Sequence, residues 1–223
     1  MHIATGRNAW RRDGSFRDGE LALGLGTLLF AGMLMARVLY SGVGCYAFIG
    51  FNLALAWIPW LTAWALERSA RADRRALSYA LGAAWLAFLP NAPYLVSDLV
   101  HLRHRAPVPL WYDVLLLSTA AITGLLAGAF SLRRVERVVR ASGHLYASRA
   151  LVSCAVIATG FGIYLGRVER LSSWDLALHP LRVLHVIAHA ASPRAIVMSA
   201  AAAGLSAIAY LALRDTDRDR VTE

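Results

Sequence analysis

Six stretches of this chain, each 16 to 22 residues long, carry no charged side chain, and short arginine clusters separate them. A helix crosses the ~30 Å hydrocarbon core of a bilayer with about 20 apolar residues. Lipid offers the backbone no hydrogen bonds, so only helices and closed barrels span it. Continuous apolar runs without strict alternation select helices. The runs are Leu21 to Ala36, Cys45 to Leu66, Ala76 to Ser97, Val114 to Leu132, Ala150 to Gly166 and Ala195 to Leu213. Arg37 extends the first, with a stem expected to snorkel to the interface. Ser41-Gly42-Val43-Gly44 reads as a tight turn before the second. The expected fold is all-α: an integral membrane bundle of about six transmembrane helices spanning 20–213. A basic tail (1–19) and a charged tail (214–223) flank it.

Composition agrees. Hydrophobic residues make up 58% and charged residues 17%, where a soluble domain carries about 25% charged. A net charge of +9 would suit a nucleic-acid binder, but such a protein gathers its charge into one patch or stripe. Here all 23 basic residues are arginines placed at the ends of apolar runs, so no nucleic-acid partner is expected. Sixteen lie on the side of the N-terminus and seven on the other. Positive charge is retained inside, which predicts a multi-pass protein of the inner (plasma) membrane with both termini cytoplasmic. The first run is too long for a secretory h-region and no small-residue cleavage site follows it, so it is read as a retained span. Gly42 makes a poor lipoprotein signal ahead of Cys45. Cys45 and Cys154 fall at opposite depths, too far apart for a bridge, and both read as small core hydrophobes.

Gly124-x-x-x-Gly128 and Gly162-x-x-x-Gly166 put small residues on one helix face, which permits close approach within the bundle. The sixth run is almost all small residues and is expected inside the bundle. Trp57, Trp60 and Trp64 read as a membrane-interface belt, with Trp111 and Trp174 at the opposite interface. The arginine runs on the side of the termini read as topology signals and lipid-phosphate contacts.

The polar chemistry collects on the outer side. Pro90 should end the regular third helix and bias Leu89 to an extended conformation. Asn91 would cap a new short helix that tolerates Pro93 in its first turn. Tyr94, Asp98 and His101 then share one face. Pro107 and Pro109 close the segment before Trp111-Tyr112-Asp113. A carboxylate and an imidazole at a broken membrane helix are costly unless used, so Asp98 and His101 are the candidates for proton transfer. Asn91, Tyr94, Asp98, His101, Trp111, Asp113, Arg167, Trp174 and Asp175 form the candidate binding set. Arg167 can pair with Asp98 or Asp113. Asn91, Asp98 and Asp113 also suit helix capping, as does Asp175 through its spacing from Ser172 or Ser173. Residues 181–191 form an interfacial helix on the outer leaflet, with Arg182, His185 and His189 on one face and Leu181, Leu184 and Ala188 near the other.

Asp98-x-x-His101-x-x-His104 is the strongest metal-like spacing, yet its ends leave a common face, and no His-Glu-x-x-His or Cys-x-x-Cys motif is present. No metal is expected. No phosphate-cradling glycine loop or nucleophile elbow occurs, so no cofactor is expected either.

Phe88-Leu89-Pro90-Asn91-Ala92-Pro93-Tyr94 with Ser97-Asp98 and His101-Leu102, then Trp111-Tyr112-Asp113, Gly162-Ile163-Tyr164-Leu165-Gly166-Arg167 and Ser173-Trp174-Asp175 resemble the bacterial multipass membrane family called domain of unknown function 1361. The resemblance covers roughly 20–213. Where that family usually runs through Arg-Trp-Asn into Ser-Trp-Asp, this chain has Arg170-Leu171-Ser172. The resemblance implies a membrane protein with no established activity. Three roles fit the motifs. The first is a structural or accessory protein of the cell envelope that docks on a membrane-protein partner. The second is an outer-face binder or enzyme for a lipid or envelope precursor, with Arg167 on an anionic headgroup. The third is a small secondary transporter gated by the broken helix.

Overall fold

The computed structural model describes residues 14–190 and 192–219. The basic residues expected to mark topology at 1–13 and at Arg220 lie outside them. Nine α-helices follow in order among the described residues: α1 (Gly14–Ser41), α2 (Ala47–Arg71), α3 (Arg75–Phe88), α4 (Asn91–Ser97), α5 (Leu110–Ala141), α6 (Leu145–Arg167), α7 (Asp175–Leu178), α8 (Pro180–His189) and α9 (Pro193–Asp219). A 3-10 turn, Asp98–His101, continues α4. No strand occurs among the described residues. Among the described residues five helices (α1, α2, α5, α6 and α9) are long and apolar enough to cross a membrane. The third expected span is the one that divides, into α3 and α4. The chain is an all-helical membrane protein.

The centre of the bundle is α5, whose apolar window is 61% buried. It meets α1, α2, α4, α6 and α9. The sixth apolar run was expected inside, but α9 is only 11% buried over its window. It lies along α6, where a Cβ on Gly160 would run into the Ser199 carbonyl oxygen. Ile196, Val197, Ile208 and Leu211 face outward. Small side chains permit close packing on one partner without drawing a helix inward, because lipid is as apolar as the bundle interior.

Both glycine pairs receive the broken helix. A Cβ on Gly124 would strike the carbonyl oxygen of Ala92, and one on Gly128 would lie 3.2 Å from the Ala92 Cβ. On the other flank, a Cβ on Gly162 would lie 2.5 Å from Pro90 Cγ. The short α4 therefore sits wedged between α5 and α6.

At the end of the bundle formed by the 72–74 and 142–144 turns, the arginine runs are not simple surface charge. Arg133 and Arg134 are buried. Arg134 donates to Glu67 Oε2 and to Glu20 Oε1, each at 3.0 Å, and its guanidinium lies 5.4 Å from the Trp60 ring centroid. Tyr210 donates to the buried Glu136 at 2.6 Å, tying α9 to α5. The tryptophans differ from a lipid-facing belt as well. Trp57 stacks edge-on against Trp60 and donates to Thr27 on α1, so two of the three hold helices together. Trp64 is the exposed one, beneath Arg68. Both cysteines are free; Cys45 is partly buried against the core, but Cys154 is exposed on α6 rather than in it.

Candidate functional site

The helix break differs locally from the expectation. Leu89 keeps helical angles (φ −53°, ψ −39°) rather than extended ones, and Pro90 takes the N-cap position of α4. Tight packing of Pro90 against Gly162 and burial of Leu89 hold this conformation against the usual bias of a residue before proline. Asn91 does not cap α4. Its Nδ2 donates back to Phe88 O at 3.0 Å, satisfying the carbonyl end of α3, and across to Ser173 Oγ at 2.8 Å. Phe88 also meets the Trp174 ring edge-on at 5.0 Å. The two motif segments, 82 residues apart at Asn91 and Ser173, are therefore in contact.

Arg167, the last residue of α6, organises the site. Its Nη2 donates to Asp98 Oδ1 at 2.7 Å and to Ser97 Oγ at 2.6 Å, and its Nη1 to His101 Nε2 at 3.1 Å. The guanidinium carbon lies 4.6 Å from the Tyr94 ring centroid. Gly166 leaves room for that ring, since a Cβ there would come within 3.2 Å of it. Of the two carboxylates open to Arg167, the fold selects Asp98. The other Asp98 oxygen accepts from Asn52 Nδ2 at 2.8 Å, and the residue is 2% exposed. Because a guanidinium only donates, His101 Nε2 is an acceptor here and its ring proton sits on Nδ1.

Asp113 belongs to a second pair. Arg37 donates from Nε to Oδ1 at 2.6 Å and from Nη2 to Oδ2 at 3.0 Å, a bidentate contact joining α1 to α5. Arg37 therefore does not snorkel: its side chain is 2% exposed and that of Asp113 is fully buried. Tyr46 bridges the two pairs. Its ring lies 4.7 Å from the Arg37 guanidinium, and its hydroxyl donates to His101 O at 3.4 Å.

The remaining candidates lie apart. Trp111 is exposed, and its neighbour Tyr112 donates to Met33 O on α1. Asp175 accepts from the Ser172 N–H at 2.7 Å and from its hydroxyl at 2.8 Å. The backbone bond first, then the hydroxyl, holds its carboxyl below the ordinary aspartate range. It caps its own turn, the alternative its spacing had left open. On α8 the buried residue is Val183, followed by the buried Ala190 just past its end, while Leu181 and Leu184 point out, so the face read as the apolar one is not the one that packs. His185 and His189 stack on each other, with ring centroids 4.4 Å apart.

Beside the Arg167 cluster lies a cavity of about 310 Å³ between α2, the α3–α4 break, α6, the 171–173 segment and α8. Its walls are mainly apolar, from Phe51, Leu55, Ala87, Leu165 and Ile187. The polar side chains are Asn52, Asn91, Tyr94, Ser172 and Ser173. Of the predicted set, Asn91 and Tyr94 line it, while Asp98, His101 and Arg167 stand behind it. Asn52 and Arg37 were missed. Asn52 was detectable as the lone amide within the second apolar run, and Arg37 as the charge ending the first. Among the described residues no group of three or more His, Cys, Asp or Glu is placed to hold a metal ion.

The model of the family described as "Protein of unknown function (DUF1361)" matches residues 51–208. The matched region contains the Arg167 cluster and the cavity; Arg37 lies outside it. No curated protein and no solved structure matches the chain.

Proposed function

We propose, from the premise that the chain belongs to the DUF1361 family, that this membrane protein binds an amphipathic molecule, with the cavity beside the helix break as its site. The observation that carries this reading is the cavity itself, apolar along its walls and polar at the helix break. Small-molecule sites commonly span 300–1,000 Å³ with a few placed polar groups. The paired charges serve as its frame. Asp98 is committed to Arg167 and Asn52, one oxygen to each. Proton transfer by Asp98 and His101 is therefore not part of this reading. The bracing role considered for an accessory protein is retained for the ion pairs, which fix α6 on α4 and α1 on α5.

The test is native mass spectrometry of the full chain released from nanodiscs containing phosphatidylglycerol, phosphatidylethanolamine and diacylglycerol. A one-to-one lipid adduct is expected on the wild type. Ala87→Phe, which fills the cavity from α3, should remove it while the protein still elutes as folded monomer. Equal adducts on both proteins would refute the reading.

A further inference from the structure

We infer that the cavity takes an uncharged, hydroxyl-bearing head, resting on the reading above that it binds an amphiphile. Asn52 gives one amide N–H to Asp98, and Asn91 gives both of its own to Phe88 O and Ser173 Oγ. Each partner is an acceptor at that contact, which fixes both amide orientations. Both amide oxygens are left as acceptors with no hydrogen bond among the described residues, as is the Tyr94 hydroxyl. Ser173 Oγ accepts from Asn91 and retains a proton to give.

No charged side chain lines the cavity. Arg167, next in sequence to the lining residue Gly166, is paired with Asp98 at 2.7 Å. A phosphate head would meet two amide oxygens and no charged side chain in the lining, so no ion pair there would offset its desolvation. A hydroxyl donates to one amide oxygen and accepts from Tyr94 or Ser173, so its own donor and acceptor are both paired. The same chemistry is offered by a neutral lipid and by a free polyol; the apolar walls favour the lipid.

The experiment uses native mass spectrometry of the detergent-solubilised full chain with four probes: dioleoylglycerol, its 3-O-methyl ether, dioleoyl phosphatidic acid, and glycerol. Dioleoylglycerol is expected to bind at least 10-fold more tightly than phosphatidic acid and about 5-fold more tightly than the ether, the size of one hydrogen bond. Tyr94→Phe keeps the ring over Arg167 and should weaken dioleoylglycerol and the ether alike by about 5-fold, since the ether oxygen still accepts from the Tyr94 hydroxyl. Phosphatidic acid binding as well as or better than dioleoylglycerol would overturn the inference and leave amphiphile binding standing. Glycerol matching dioleoylglycerol would overturn the lipid assignment. Binding of no probe to the wild type would overturn both the inference and the reading beneath it.

Discussion

Asp113→Asn removes one charge from the Arg37–Asp113 pair while keeping its shape. The pair is bidentate and its side chains are 2% and 0% exposed. Breaking such a pair from one side strands a buried guanidinium and costs about 3–5 kcal/mol. For a chain of this size each kcal/mol lowers the melting temperature by about 2–4 °C, so Asp113→Asn should melt about 6–20 °C below wild type. The double variant Arg37→Met/Asp113→Leu removes both charges and replaces them with apolar bulk. It forfeits the contact of Arg37 with the Tyr46 ring, worth about 0.5–2 kcal/mol, and otherwise leaves nothing stranded. It should therefore recover most of the loss. The assay is the fraction of folded monomer in dodecyl maltoside, read by size-exclusion chromatography after heating. The reasoning fails if Asp113→Asn melts within 2 °C of wild type, or if the double variant melts as low as the single one.

Three further outcomes follow from the packing, the cap and the layout of the turns. Gly162→Ala places a Cβ 2.5 Å from Pro90 Cγ and should destabilise by about 1–3 kcal/mol; Gly204→Ala, where a Cβ meets nothing within 4 Å, should match or slightly exceed wild type in the same melt. The Asp175 carboxyl is held below its ordinary range by hydrogen bonds from Ser172, so the cap is fully formed above the unfolded aspartate value and is lost as pH falls through the lower folded one. A carboxyl carbon shift titration should give Asp175 a midpoint below 3.8, and Ser172→Ala should raise it. In a cysteine-free background, His104→Cys and Leu178→Cys should label with an impermeant maleimide from one face of the membrane and Asp73→Cys and Ser142→Cys from the other, since the fold puts these loops at opposite ends of the bundle; labelling of positions 104 and 178 from different faces would contradict it.

What could be read from the chain was what depends on neighbours in sequence. The apolar runs mark the helices, Pro90 marks the break, and the two glycine pairs mark faces that admit close packing. What could not be read was which distant partner each polar group takes. Arg167 faced two plausible carboxylates, and the choice of Asp98 follows from α6 lying against α4 while α1 takes the neighbouring place on α5. Arg37 finds Asp113 across 76 positions, and hydropathy sees only a charge at the end of a run. Burial misleads for a related reason: α9, the smallest-residue helix, is peripheral at 11%, and α5, with a Leu-rich run, is central at 61%. In water, apolar content says which face turns inward, whereas in a bilayer both surroundings are apolar and that signal is lost. Polar residues recover it, because a buried guanidinium or amide inside the membrane must find a partner. Asn52, an uncharged side chain in the middle of an apolar run, is the clearest case. It stands where α2 faces Asp98, and so marks both the inner face of its helix and the edge of the cavity.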